Sequence, residues 1–239
     1  AGLLPLRTEI TNFVKRKYDL NYNPEDVLVT VGGSEAIDLA IRMLVEEGDE
    51  VIIPEPCYVS YEPITTLTGG VPVHIQCTEE NEFRVTPEQV KEALTEKTKM
   101  LILSYPNNPT GAVLRHEDLV GIAEVLKDTD VIVLSDEIYA ELCYGDEKYE
   151  SIANIEGMHD RTIVVNGFSK SFSMTGWRLG YAMGPKPLIE TMTKIHQSCI
   201  MCSPTTSQYA GITALSSCDE EILKMKEEYD FRRKYCVRK

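Results

Sequence analysis

The 239-residue sequence lacks several patterns that would assign it to a well-known class of protein. No apolar run approaches the roughly 20 residues that a membrane-spanning helix needs. Neither G-x-G-x-x-G nor G-x-x-x-x-G-K-[ST] occurs, so dinucleotide-binding and P-loop functions lose support. Positive charge is scarce, with 24 Lys and Arg against 38 Asp and Glu and a net charge of −14. We therefore expect neither nucleic acid nor a membrane as a partner.

The seven cysteines are scattered and odd in number, which is not typical of a disulfide framework. Cys199 and Cys202 form a lone C-x-x-C without a second pair. We interpret them as two small, mostly buried thiols rather than as a zinc or redox site. No metal site is predicted, and reduced thiols indicate a cytoplasmic protein.

Seven apolar runs rich in β-branched residues alternate with amphipathic stretches, a pattern typical of an α/β fold. The near-continuous hydrophobicity of the runs indicates burial on both faces, as in a mostly parallel sheet of roughly seven strands sandwiched by helices. The last two runs have no long helix between them, so we expect that pair to be antiparallel. The predicted strands are 27–31, 50–54, 71–75, 99–104, 131–135, 162–166 and 179–183, and the predicted helices are 34–47, 117–128, 186–197 and 219–238.

Unusual residues follow several of these strands, at the end where ligands bind in open α/β sheets. In GGSEA, two glycines allow a sharp turn, Ser34 is a good helix N-cap, and the helix start suits a phosphate. An ordinary strand–helix turn explains this motif equally well. Tyr58 either stacks on a flat ligand or packs as a partly buried aromatic. Asn108, in NNPTG, either donates to a ligand or serves the turn alone.

Two further motifs favour a chemical role. Asp136, in SDEIY, needs a helix N-terminus or a cationic ligand atom, since an unpaired buried carboxylate is costly. Tyr139 can face the same side. In SKSFSMTGWRLG, Lys170 is a nucleophile toward aldehydes once desolvation has removed its proton, Arg178 is a fork-shaped phosphate anchor, and Ser169 adds a hydroxyl. Together these parts fit pyridoxal 5′-phosphate (PLP), an electron sink at an amino acid α-carbon.

The motifs GGSEA, NNPTG, SDEIY and SKSFSMTGWRLG closely resemble those of the fold-type-I, PLP-dependent class I/II aminotransferases, in family order and across essentially the whole chain. The similar branch includes bacterial aspartate and aromatic aminotransferases. The resemblance implies a PLP-transferase-like large domain, amino acid and 2-oxo acid substrates, and a homodimer. Residues 198–208 are predicted to break a helical pattern with a polar turn before another helix, and we expect the chain to self-associate through this region.

The resemblance also implies a role for each residue. Lys170 binds the cofactor aldehyde and then acts as the base, and Asp136 keeps the pyridine nitrogen protonated. Asn108 and Tyr139 bind the ring oxygen, and Tyr58 stacks on the ring. The phosphate ligands are Ser34, Glu35 through its backbone N–H, Ser169 and Arg178.

The chain departs from the family pattern in three places. Gly167 stands where many relatives carry a hydroxyl residue. An N-terminal segment and a C-terminal small domain, with its substrate-binding arginine, are expected to be missing. We therefore predict a PLP-binding large domain at 1–220, a long helix at 221–239 that leads toward the small domain, and negligible aminotransferase activity in residues 1–239.

Two other functions stay open. The same scaffold supports PLP-dependent C–S lyase chemistry, and it also occurs as a sensor domain of transcription regulators. A plain nucleotide-binding α/β protein leaves Lys170 unexplained.

Overall fold

All seven predicted strands form, each within one residue of its predicted bounds, and they belong to one sheet. The computed structural model describes residues 1–145 and 148–238 of the chain. The strands are β1 (Val27–Thr30), β2 (Glu50–Glu55), β3 (Val71–Gln76), β4 (Thr98–Ser104), β5 (Ile132–Asp136), β6 (Thr162–Gly167) and β7 (Gly180–Met183).

The four predicted helices also form, and four further helices accompany them in the described part of the chain. The predicted ones correspond to α2, α5, α6 and α8 below. The sequence interpretation missed α1 and the two seven-residue helices α3 and α4. It expected a helix after the turn at 198–208 without giving its bounds, and α7 is that helix. The helices are α1 (Leu4–Tyr18), α2 (Gly33–Leu44), α3 (Tyr61–Leu67), α4 (Pro87–Ala93), α5 (His116–Leu126), α6 (Lys186–Cys199), α7 (Thr205–Ser217) and α8 (Asp219–Val237).

The strand order β1-β7-β6-β5-β4-β2-β3 brings distant parts of the chain together. Only β7 runs opposite to its neighbours, which confirms the antiparallel pair predicted at the end of the strand series. Because β1 and β6 both oppose β7, they run parallel to each other. The carboxyl ends of β1, β4, β5 and β6 therefore lie at one edge of the sheet, where Gly180 pairs with both Thr30 and Gly167.

Helices cover both faces of the sheet because successive strand residues point to opposite sides. In β1, Leu28 packs in the layer that contains α2, α3 and α6. Its neighbours Val27 and Val29 pack with α1 and α7 on the other face. The same second face is covered by α4 and α5 at the far end of the sheet. This confirms the predicted sandwich.

One strand departs from the prediction of burial on both faces. In β3, only Ile75 is buried, and Val71 is 46% exposed. The reason is its position at the edge of the sheet, where it pairs with β2 alone. Apolar composition did not distinguish this edge strand from the central ones.

Helix α8 confirms the predicted long charged helix, with Ile222 as its one buried residue. Lys239, the last residue of the predicted range 221–239, lies outside the described residues. No helix in the described ranges combines the length and the apolarity needed to cross a membrane.

The prediction that Cys199 and Cys202 are mostly buried is wrong, because both thiols are exposed. Helix α6 ends at Cys199, and the residues that follow form a surface loop before α7 begins at Thr205. This loop does confirm the predicted break between two helices.

Candidate active site

The carboxyl edge of the sheet encloses a cavity of about 180 Å³. It is bounded by the loops that follow β1, β2, β4, β5 and β6 and by the turn that precedes β7. Eight of the nine predicted site residues line it, and Glu35 does not. The eight are Ser34, Tyr58, Asn108, Asp136, Tyr139, Ser169, Lys170 and Arg178.

The first turn of α2 forms one wall of the cavity. Its N-cap is Gly32, whose φ of 84° is in the left-handed region that favours glycine. The prediction of Ser34 as the N-cap is wrong, because the helix already begins at Gly33. No side chain caps this helix, so its first N–H groups remain free for an anion. The Ser34 hydroxyl faces the same cavity.

The Arg178 guanidinium lies directly beside this helix start. It donates to the carbonyl of Thr175 at 3.0 Å and to that of Val31 at 3.4 Å. A Cβ atom built on Gly32 would lie 2.5 Å from its Nη2 atom. The missing side chain at Gly32 therefore leaves room for a cation next to free amides, an arrangement that suits a phosphate.

A second glycine, Gly180, allows the loop after β1 to lie close to β7 in this wall. A Cβ atom on Gly180, the first residue of β7, would lie 2.5 Å from the carbonyl carbon of Gly32. Because no side chain fits between them, the loop after β1 can approach β7 closely.

Asp136 ends β5 at the floor of the cavity and is 7% exposed. The Tyr61 hydroxyl donates to its Oδ2 at 2.7 Å, and the Ile138 N–H donates to its Oδ1 at 3.2 Å. Burial raises the pKa of this carboxyl, while the two hydrogen bonds act in the opposite direction. A cationic ligand atom in the cavity would stabilise its charged form.

Sequence reasoning missed Tyr61, which is fully buried in the first turn of α3. The signal for it was the Tyr-x-x-Tyr spacing in CYVSY. The Tyr58 and Tyr61 rings meet edge to face, with centroids 5.6 Å apart. The Tyr58 hydroxyl lies 3.4 Å from the Ser34 hydroxyl, and hydrogen bonds from Ser34 and Ser60 lower its pKa.

The neighbouring residues Asn107 and Asn108 have different roles, one in the turn and one at the cavity. The Asn107 amide donates to the carbonyls of Pro56 and Ser104, and its oxygen accepts from Thr110, so this residue builds the turn. The Asn108 amide makes no hydrogen bond within the described residues and lines the cavity. Turn chemistry alone therefore does not require the second asparagine.

Lys170 follows β6 and projects between the cavity and open space. Its Nζ lies 5.7 Å from the centroid of the Tyr139 ring. The lysine is partly exposed, so the sequence expectation of a desolvated amine is not met in this structure. Lys170 and Tyr139 also border a larger cavity of about 900 Å³, whose far wall contains Tyr229 and Arg233 of α8. This larger space gives a second molecule access to the amine.

Glu137, the residue that follows β5, is a buried carboxyl that does not line the cavity. It is 1% exposed, and its Oε1 accepts from the hydroxyls of Ser135 and Ser151. Its Oε2 has no hydrogen-bond partner within the described residues. Burial raises the pKa of Glu137 from 4.5 to about 7.

We predict that this carboxyl makes the protein less stable as pH rises. The folded state holds the Glu137 proton more tightly than the unfolded state, so the stabilisation is complete below about pH 4.5 and is lost as pH rises through about 7. The loss is on the order of 3 kcal/mol. Chemical denaturation across this range should therefore show that Glu137→Gln gains stability over the wild type as pH rises. Parallel curves for the two proteins would contradict this, and Glu156→Gln, at an exposed position, is the control.

Comparison with known proteins identifies relatives of the whole chain. A family model described as aminotransferase class I and II matches residues 1–239. The aspartate aminotransferase of Pyrococcus abyssi is 44% identical over 238 residues, which cover 98% of this chain and 61% of that protein. The chain therefore spans about three fifths of the length of this relative.

Solved structures agree with the sequence matches. The aromatic aminotransferase from Pyrococcus horikoshii OT3 superposes with a TM-score of 0.95 at 42% identity, covering 98% of this chain and 64% of that one. The aspartate aminotransferase from Thermus thermophilus with maleate gives a TM-score of 0.96 at 35% identity, covering 100% of this chain and 62% of that one.

Proposed function

The chain belongs to the aminotransferase class I and II family, and we propose that the protein transfers an amino group between an amino acid and a 2-oxo acid with PLP as cofactor. One observation carries the proposal: a lysine, an arginine beside an uncapped helix start, and a buried aspartate border a single cavity. These groups match the aldehyde, the phosphate and the ring nitrogen of PLP.

The residues of this chain divide the work of holding the cofactor. Arg178, Ser34 and the free amides of α2 would bind the phosphate, with Ser169 beside them. Asp136 would hold a proton on the ring nitrogen, because a buried carboxylate is stabilised by a neighbouring positive charge. Tyr58 would cover one face of the ring, and Asn108 and Tyr139 would bind the ring oxygen.

Lys170 would carry the chemistry itself. When bound, PLP accepts the electron pair left on the α-carbon of the amino acid. The Lys170 amine would attach the cofactor at rest and, once displaced by the substrate, would move a proton from the α-carbon as a general base. The larger cavity, which Lys170 also borders, would give the displaced amine room beside the site.

The test is an amino-donor screen of the full-length protein with saturating PLP, because residues 1–239 alone are expected to have negligible activity. Aspartate and aromatic amino acids come first, because the relatives are named for them. Formation of the matching keto acid, which continues only when a 2-oxo acid acceptor is present, would support transfer. Ammonia and a keto acid released without any acceptor would indicate a lyase instead.

We also propose that the protein is a cytoplasmic homodimer that binds neither nucleic acid nor membranes. The seven cysteines are all free thiols, as a reducing compartment favours. The net charge of −14 is unsuited to anionic partners.

We expect self-association through the predicted region 198–208. Ile200 is 46% exposed and Met201 is 77% exposed, which leaves apolar surface on this loop. Light scattering at micromolar concentration should give twice the mass of one chain. Ile200→Glu should lower that mass, and Val120→Glu, at a similarly exposed apolar position on α5, should not. A monomeric wild type would contradict the proposal.

A further inference from the structure

Glu35 and His196 form a polar contact between α2 and α6 that the proposed function does not use. The His196 Nδ1 lies 2.6 Å from Oε1 of Glu35, and an ionised carboxylate can only accept, so the imidazole donates. The His196 side chain is 1% exposed and that of Glu35 is 13% exposed. The contact is therefore almost completely withdrawn from water.

The second carboxylate oxygen of Glu35 reaches the loop in front of its own helix. The Val31 N–H donates to Oε2 at 2.5 Å. The carbonyl of the same residue accepts from the Arg178 guanidinium. Val31 is thus held on one side by Glu35 and on the other by the arginine of the candidate phosphate site.

This arrangement substitutes for a capping side chain. Gly32, the N-cap of α2, has no side chain that could fix the first turn, and Ser34 turns toward the cavity. The Glu35 carboxylate is then the side chain of α2 that ties the first turn to the preceding loop, and the Thr30 hydroxyl adds a hydrogen bond to the carbonyl of Gly32 at 2.9 Å. His196, at the last turn of α6, fixes the direction in which that carboxylate points.

We propose that His196 and Glu35 are a positioning pair that holds the first turn of α2 in its anion-binding geometry and so sets the affinity for the phosphate of PLP. This inference rests on the proposed function. Neither side chain lines the cavity, so both act through the backbone of α2 and through Val31.

Paired variants test the proposal. His196→Leu removes the donor while keeping an apolar volume, and His196→Asn keeps an N–H donor close to the position of Nδ1. Val31 and His196 donate to different oxygens of Glu35, and Glu35→Gln replaces one of these oxygens with an NH2 donor, so it cannot accept at both positions. We expect His196→Leu and Glu35→Gln to lower the affinity for PLP by about tenfold, the scale of one charge-assisted hydrogen bond. His196→Asn should recover much of it.

Pyridoxal, which lacks the phosphate, is the decisive control ligand. Its affinity should be unchanged in every variant, because Lys170 and Asp136 remain in place. Thr191→Ala, at an exposed position on α6, should leave the affinities for PLP and for pyridoxal unchanged. Equal losses for PLP and pyridoxal would mean that the pair serves only general stability, and no loss for either would mean that it positions nothing. Both results overturn the inference.

Binding of inorganic phosphate separates this inference from the proposed function. It is measured as the increase in the thermal unfolding temperature of the protein when phosphate is added. If the wild-type protein binds phosphate but reacts with neither PLP nor pyridoxal, that result would refute the proposed function and leave the inference standing. The pair is then judged by phosphate affinity, which should fall about tenfold in His196→Leu and Glu35→Gln. A wild-type protein that binds no phosphate, or variants that bind it as well as the wild type, would overturn the inference.

Discussion

Lys170→Ala should abolish covalent attachment of PLP to the protein. In the wild type, borohydride treatment with PLP should fix the label on one peptide, the one that contains Lys170. The physical reason is position: this amine borders the cavity that also contains Arg178 and Asp136, so a phosphate bound at α2 brings the aldehyde toward it.

The variant should fold normally, because the Lys170 amine makes no hydrogen bond or ion pair within the described residues, and the change is expected to cost less than about 0.5 kcal/mol. Mass spectrometry of the labelled peptides gives the result. Lys186→Ala removes an exposed lysine on α6 and is the matched control, which should keep the label. Labelling of Lys170→Ala to the wild-type extent would refute the assignment.

In the full-length protein, Asp136→Asn should leave PLP bound but reduce amino transfer by on the order of a thousandfold. Asparagine is nearly isosteric, and its oxygen can still accept from Tyr61 or from the Ile138 N–H. It cannot keep a proton on the ring nitrogen, so the cofactor would withdraw electrons poorly from the α-carbon. A residue that only caps the turn would tolerate asparagine well.

The measurement is keto-acid formation at saturating PLP, with binding followed separately by the absorbance of the cofactor. Asp130→Asn, an exposed aspartate just before β5, should retain full turnover. Retained turnover in Asp136→Asn would favour a capping role and would remove the aspartate from the proposed mechanism.

The sequence predicted the sheet well because its central strands are short, β-branched runs that are apolar on both faces, as expected of a buried parallel sheet. The family resemblance was confirmed by comparison, and eight of the nine predicted site residues line one cavity. Local pattern was less informative about exposure. Apolar β3 is an edge strand, and the thiols of Cys199 and Cys202 are on the surface.

The missed features depend on contacts between distant segments. Tyr61 matters because α3 places its hydroxyl on Asp136, 75 positions later in the chain. Glu35 was predicted through its backbone N–H, whereas its carboxylate meets His196 across 161 positions. Ser34 was predicted as an N-cap because serine is common at that position. The turn at Gly32 instead starts the helix at Gly33, one residue before Ser34. A short stretch of sequence does not show which distant residues it will contact in the folded protein.

The position of β1 at the end of the sheet also constrains how the protein folds. Its one strand partner is β7, which begins about 150 residues later in the chain. During synthesis, β1 and the loop before α2 therefore emerge from the ribosome early, but β1 cannot join the sheet until Gly180 has been made. Such long-range pairing slows folding, because a large loop must close before any contact compensates for the lost chain entropy. Until then, the apolar residues of β1 lack their strand partner and are open to contact with other chains, so we expect this part of the nascent protein to benefit from a chaperone.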